Sequence, residues 1–240
     1  MGENVTEKNM EKNHMHDTVV LSLGGSLIYP KEIDVAYLKK FRELILSYVK
    51  RGKRFGIVTG GGAICREYIA KANEVASLQP AQNDWIGIST TRANAQLVRE
   101  IFGEIAYPSV VIDYSKKITT DKPIVVGAGW VPGSSTDKDA VLLALMYGAK
   151  TVINLTNVDY VYDKDPRTFS DAKPIKRISW LDFKKIVGGE WKAGMNLPFD
   201  PIAASLAEKE KLTVVVLNGN NLVNLEKFLA GKEFVGTIIG

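Results

Sequence analysis

Apolar positions fall into two kinds of segment along this chain: short β-branched runs, and longer stretches in which apolar residues recur at helical spacing. The short runs predict strands near 18–23, 54–59, 108–112, 123–127, 151–155 and 213–217, with a last short one near 236–239. The longer stretches predict helices near 35–51, 63–76, 83–103, 136–148, 179–187, 200–211 and 221–230. Strands alternating with helices of this length imply βαβ crossovers, and hence an α/β fold with a mainly parallel sheet covered on both faces. No internal repeat, low-complexity body segment or linker interrupts the pattern, so residues 18–240 read as a single domain. Two irregular stretches, about 157–178 and 188–199, are long enough to serve as lids.

Three strand ends carry glycine-rich turns: Leu23-Gly24-Gly25-Ser26, Thr59-Gly60-Gly61-Gly62 and Val126-Gly127-Ala128-Gly129. Each follows a β-branched run and precedes a helix. In a parallel sheet these turns share one edge, where glycine amides and helix N-termini favour phosphate oxygens. The expected ligand therefore carries several phosphates. Neither a P-loop nor the dinucleotide fingerprint is present, which disfavours a Walker-type ATPase or a Rossmann dehydrogenase.

Composition narrows the chemistry further. With 240 residues, 45% of them hydrophobic, the chain can bury a full core as one large domain. The net charge of +4 is spread along the chain, too mild for a nucleic-acid surface but suited to anionic small molecules. No apolar run approaches the roughly 20 residues of a membrane helix, and the polar amino terminus lacks a signal peptide, so a cytoplasmic protein without membrane partners is expected. The one cysteine, Cys65, excludes an intramolecular disulfide and reads as a buried helix residue rather than a nucleophile. Both histidines, His14 and His16, lie in the polar stretch 1–17, read as a disordered extension. The folded body then has no histidine, which argues against Ser–His or Cys–His catalysis and against histidine-ligated metal, and no protein-ligated metal site is expected.

Several polar clusters stand at the predicted strand ends. Arg66 lies one helical turn past Gly60-Gly61-Gly62, where its planar fork can grip a phosphate, although a surface salt bridge is the plain alternative. In Pro132-Gly133-Ser134-Ser135-Thr136-Asp137-Lys138-Asp139, Thr136 and Asp139 have capping-box spacing. The remaining hydroxyls of Ser134, Ser135 and Thr136 can bind a base or phosphate, with Asp137 orienting them. Thr156, Asn157, Asp159, Tyr162 and Asp165 form a platform suited to an adenine ring and ribose, or merely a turn. Asp200 opens a helix as its N-cap, or else acts as a magnesium-linked or lysine-organising carboxylate.

Taken together, these motifs resemble the amino acid kinase superfamily, and within it the archaeal-like UMP kinases. The resemblance spans Thr18 to Gly240 and is carried by Gly24-Gly25-Ser26, by Gly60-Gly61-Gly62 with Arg66, by Asp84-Trp85-Ile86-Gly87 and Thr91-Arg92-Ala93-Asn94-Ala95. It continues through Pro132-Gly133 with Ser135-Thr136-Asp137, Thr156-Asn157-Val158-Asp159 with Val161-Tyr162 and Asp165-Pro166, and Asp200-Pro201.

The resemblance implies a three-layer αβα sandwich, usually assembled as a homohexamer, that moves the ATP γ-phosphoryl group to UMP with magnesium bound mainly through the ATP phosphates. It implies that Gly24, Gly25, Ser26 and the region from Thr156 to Asp165 hold ATP. Gly61, Gly62, Arg66, Asp84 and Thr136 would hold UMP, Asp84 at the ribose hydroxyls and Arg66 with the glycine amides at the phosphate. This chain departs from bacterial members at Ser22, where they carry a lysine, and from the usual glycine at Tyr160. The missing positive charge points to Lys192 or Lys138 as the substitute, Lys192 being favoured because it lies in a glycine-flanked stretch eight residues before Asp200. A sister kinase with another phosphate or carboxylate acceptor, and a nucleotide-binding protein without turnover, are the alternative readings.

Overall fold

The computed structural model describes residues 17–166, 168–188 and 197–240. The stretch 1–16 with both histidines, and Lys192, lie outside the described residues. Asp17, assigned to the extension, belongs to the folded body: its carbonyl accepts from the Arg54 N–H at 3.2 Å and its carboxylate pairs with Lys53.

The chain order is β1 (Thr18–Leu23), α1 (Gly25–Ile28), α2 (Val35–Val49), β2 (Arg54–Thr59), α3 (Gly62–Val75), α4 (Pro80–Phe102), β3 (Ile124–Gly127) and α5 (Thr136–Tyr147). There follow β4 (Thr151–Thr156), β5 (Val161–Tyr162), β6 (Pro174–Ile175), β7 (Arg177–Ile178), α6 (Trp180–Val187), α7 (Pro201–Lys209), β8 (Thr213–Asn218), α8 (Leu222–Leu229) and β9 (Thr237–Ile239). Local chemistry sets the helix ends. Asp34 caps α2 by accepting from the Tyr37 N–H, Gln79 and Gln82 form a reciprocal capping pair ahead of α4, and α5 stops at Gly148 in the left-handed region.

Seven strands form one sheet in the order β3-β2-β1-β4-β8-β9-β7, parallel throughout except where β9 runs against β8. Alternation along β1 explains the three layers. Val19, Leu21 and Leu23 face a core with α2, α4 and α8, whereas Val20 faces a second core with α5, α6 and α7. This is the αβα sandwich anticipated. The strand predicted near 108–112 does not form: only Val111 bridges Gly127, after Ala106 bridges Ile124. Five residue steps on one side face three on the other, and Pro108 has no N–H for a ladder, so the segment cannot keep register with β3.

The connection from β3 crosses over β1 and β2 to reach β4, making β1 the place where the winding reverses. In open α/β sheets ligands bind at the carboxyl ends of the strands beside such a switch point. Among the described residues, no helix is long and apolar enough to cross a membrane.

Candidate active site

The first two glycine turns meet at the carboxyl edge of the sheet. The Gly24 N–H donates to Leu155 O at 3.0 Å and the Gly60 N–H to Leu23 O at 2.9 Å, extending strand pairing past the strand ends. A β-carbon on Gly25 would lie 2.1 Å from Gly62 N and 2.5 Å from Gly60 C, so the two turns pack backbone on backbone. From below, the Asn94 amide donates to the carbonyls of Gly60 and Gly61 at 2.8 and 3.1 Å. Among the described residues no carbonyl accepts from the amides of Gly25, Ser26, Gly61 and Gly62, which gives this nested pair of turns free donors for anionic oxygens. Arg66, exposed on the first turns of α3, lies beside them with Nη2 3.5 Å from Ser26 Oγ.

Beneath the first turn is a carboxylate pair. Ser22 Oγ donates to Asp137 Oδ1 at 3.0 Å, and the Asp200 N–H donates to Asp137 Oδ2 at 3.1 Å. Although Asp137 keeps some solvent contact as a residue, desolvation of its carboxylate pushes the pKa up to about 6. The Asp200 N–H and the Ser22 hydroxyl oppose that rise, and the negative charge of Asp200 adds to it. Asp200 is 3% exposed; its Oδ1 caps α7 by accepting from Ile202 and Ala203, while its buried Oδ2 has no hydrogen-bond partner among the described residues. Among the described residues no lysine or arginine pairs with either carboxylate. Lys138 contributes its charge to Asp139 instead.

A cleft of about 320 Å³ opens beyond the end of β4. Of the expected platform, Thr156, Asn157, Tyr162 and Asp165 line it; Asp159 does not, its carboxylate accepting from the Asn218 amide at 3.0 Å. Tyr160 lines it too and meets Tyr162 edge to face, ring centroids 6.4 Å apart. β5 and the residues that follow it to Pro166 form one wall, with Ile186 and Val187 of α6 and Leu197 supplying apolar contact. Strands of two residues and a wall drawn from three separate segments leave no periodic signal in sequence.

On the other side lies the loop between β3 and α5. The helix cap is Ser135, whose Oγ accepts from the Lys138 N–H at 3.1 Å, so the capping-box reading of Thr136 and Asp139 was out of register. Ser134 Oγ donates to Asp139 Oδ1 at 2.8 Å. Two of the three hydroxyls expected to face a ligand are thus engaged within the protein, and Thr136 has no side-chain hydrogen bond among the described residues. Asp84 Oδ2 accepts from the Gly133 N–H at 2.8 Å, which brings the carboxylate expected at a ribose against this loop. Thr91 and Arg92 of α4 hold the loop's start at Gly129 and Trp130. Thr91, Arg92 and Asn94 are supporting residues to which residue-type reasoning gave no role, and Asp139 is one that it read only as part of a cap.

Cys65 is partly exposed rather than buried and packs against Gly61 and Gly87. Among the described residues no three His, Cys, Asp or Glu side chains cluster as a metal site. The site thus offers amides, a guanidinium and a desolvated carboxylate pair between an apolar cleft and a rigidly held polar loop. That arrangement suits transfer between two phosphate-bearing molecules, which needs positioning and charge compensation more than covalent participation.

Residues 17–218 match the model of the amino acid kinase family. A uridylate kinase of Methanobrevibacter smithii is 37% identical over 91% of this chain and 97% of its own length, and one of Methanocorpusculum labreanum is 36% identical over 92% and 95%. The crystal structure of uridylate kinase from Archaeoglobus fulgidus superposes with a TM-score of 0.79 at 34% identity, covering 92% of this chain and 99% of that one.

Proposed function

The chain belongs to the amino acid kinase family, and we propose that it transfers the γ-phosphoryl group of ATP to UMP, giving ADP and UDP. The observation that carries this reading is the nested pair of glycine turns, with its four free amides and Arg66, set between the adenine-sized cleft and the loop held by Asp84.

ATP lies with its base in the cleft of Thr156, Asn157, Tyr162 and Asp165, Asp159 supporting that wall through Asn218, and with its phosphates over Gly24, Gly25 and Ser26. UMP places its phosphate at Gly60, Gly61, Gly62 and Arg66, its ribose at Asp84, and its base toward Thr136 and the backbone that Ser134 and Ser135 hold in place. An oxygen of the UMP phosphate attacks the γ-phosphorus in line, the bond from that phosphorus to the bridging oxygen breaks, and ADP leaves. That oxygen is already anionic at neutral pH, so no general base is required.

Magnesium travels with the ATP phosphates and water, and neutralises their charge. Asp200 Oδ2, without a partner among the described residues, fits an environment that receives a cationic group, since a buried carboxylate oxygen is costly without one. We assign that cation to Lys192, with Asp137 and Asp200 orienting it. Residues 18–240 act as one domain in the cytoplasm. They assemble as a homo-oligomer through the apolar cleft of about 590 Å³ between α3 and α4, where Tyr68 and Trp85 are 56% and 48% exposed.

Release of ADP across the four nucleoside monophosphates, with and without magnesium, tests the reading. UMP should be much the best acceptor, because a site built of directed polar groups rejects analogues that leave them unpaired. Equal turnover of AMP and UMP moves the assignment to a sister kinase. Joint binding of ATP and UMP without UDP would instead support the binding-protein reading suggested by Ser22.

A further inference from the structure

The mechanism leaves one buried charge unused. Asp139, in the first turn of α5, is fully shielded from solvent. Its oxygens accept from the Trp130 N–H at 3.2 Å and from the Ser134 hydroxyl at 2.8 Å, which are the two ends of a five-residue loop. That loop has little structure of its own: its one internal backbone hydrogen bond runs from the Ser134 N–H to Val131 O, and Gly133 lies at φ +77. Its shape is imposed from outside. Thr91 Oγ1 accepts from the Gly129 N–H at 2.9 Å, Arg92 donates to the carbonyls of Gly129 and Trp130, and Asp84 accepts from the Gly133 N–H at 2.8 Å.

A carboxylate is an expensive way to fill a core position. Burial pushes the Asp139 pKa up to about 7 in spite of the two donors and the nearby Lys138. Packing alone would be served as well by an apolar side chain, without the desolvation cost. What an apolar side chain cannot do here, and a forked polar one can, is tie both ends of the loop at once.

We propose that Asp139 is a positioning residue that fixes the loop 130–134, and that Asp139 from beneath and Asp84 from the side form a two-carboxylate clamp setting the affinity and base selectivity of the acceptor site. The acceptor part of this inference rests on the reading of UMP as the acceptor. The clamp itself rests only on the hydrogen bonds described. Because Ser134 spends its hydroxyl on Asp139, the clamp orients Thr136 and the loop amides toward the base rather than Ser134 itself.

Three variants of the full chain test it: Asp139→Ala, Asp139→Asn and Ser134→Ala. Asp139→Ala should raise the KM for UMP about tenfold or more, as loss of two charge-assisted hydrogen bonds permits, and leave the KM for ATP within about twofold. Its preference for UMP over CMP should narrow. Asp139→Asn should restore the UMP KM, since the amide oxygen can accept from Trp130 while the amide NH₂ donates to Ser134 Oγ. Ser134→Ala, which cuts one tether without opening a core cavity, should raise the UMP KM by a smaller factor and serves alone if Asp139→Ala does not fold. Hydrogen exchange of the Trp130 and Gly133 amides provides a readout that needs no substrate. Protection should fall in the two alanine variants and persist in Asp139→Asn. Unchanged protection, or equal shifts in both substrates' KM values, would overturn the clamp. A wild-type enzyme that makes no UDP while the exchange pattern holds would overturn the UMP reading and leave the clamp standing.

Discussion

Ser22 Oγ stands 3.0 Å from Asp137 Oδ1, joining the end of β1 to the first turn of α5 at the position where bacterial members of the superfamily carry a lysine. The hydroxyl supplies a donor but no charge. It holds down part of the rise that burial imposes on Asp137, whose pKa stands at about 6. Ser22→Ala removes that donor, so the Asp137 pKa should rise further and the acidic limb of the pH–rate profile should move to higher pH. Activity near pH 6 should fall more than activity at pH 8, as stopped assays across that range will show. An unshifted limb would mean that Asp137 is not the group titrating in turnover.

The contact between the first two glycine turns yields a stability test. A β-carbon on Gly25 would lie 2.1 Å from the Gly62 nitrogen, a backbone atom that cannot swing aside. Gly25→Ala should therefore cost at least about 3 kcal/mol, read as a fall in the denaturant midpoint. Gly87, inside α4, meets only Cys65 Sγ at 3.7 Å, an ordinary contact. Gly87→Ala should be neutral or stabilise by up to about 1 kcal/mol, because alanine has the better helix propensity. If both variants behave alike, the turns do not pack as described.

These two glycines also show how far the sequence could be read. The place of the turns at the strand ends was legible, because glycines following β-branched runs have a local cause. Their mutual packing was not, because Gly25 and Gly62 meet only once β1 and β2 lie side by side. The apolar run at 108–112 looked like a strand by the same local logic, and failed through a register mismatch with β3 that belongs to the tertiary structure. Capping was misassigned by one residue, since Ser135 and Thr136 are both competent caps and only the backbone decides between them. The misassignment hid Asp139, which reads as part of a cap in sequence and is a buried tether in space. The five long strands and helices α2, α4, α5, α6, α7 and α8 were legible because they bury recurring apolar positions, whereas α3 buries only Gly62.

Arg66 is the acceptor-side test of the proposed site. It is exposed, and among the described residues the one hydrogen bond of its side chain is to Ser26 Oγ, at 3.5 Å, so it contributes little to stability and its guanidinium remains available. Arg66→Ala should raise the KM for UMP by about tenfold or more and leave the ATP dependence nearly unchanged, with a thermal midpoint close to wild type. Calorimetry showing full UMP affinity in the variant would reduce Arg66 to a surface link between α3 and the first turn.

The buried carboxylates set the direction of the pH dependence of stability. Desolvation raises Asp137 to about 6 and Asp139 to about 7, both above the ordinary carboxylate value. Between roughly pH 4 and pH 7 the folded chain therefore binds more protons than the unfolded chain, and stability contributed by these groups is lost as pH rises across that window. A tenfold difference in proton affinity between the two states corresponds to about 1.4 kcal/mol. Asp139→Asn removes one titrating group while keeping both tethers, so its thermal midpoint should depend less on pH and should equal or exceed that of wild type at pH 8. A variant less stable at pH 8 with an unchanged slope would show that Asp139 does not titrate in this range.

Lys192 decides whether the site completes itself. Among the described residues Asp137 and Asp200 converge without a cation, and Asp200 Oδ2 is buried without a partner. Lys138, the other candidate, forms no ion pair with Asp137 or Asp200 among the described residues, and its charge helps to lower the Asp139 pKa. A lysine that meets the transferring phosphate mainly in the transition state should leave ground-state binding almost untouched. Lys192→Ala should accordingly lower kcat by about 10²-fold or more with ATP affinity nearly intact, and Lys138→Ala should not. Single-turnover kinetics with saturating ATP and UMP isolates that step from product release. If Lys192→Ala turns over at the wild-type rate, the glycine amides, Arg66 and the magnesium carried by ATP suffice, and Asp200 Oδ2 needs another explanation.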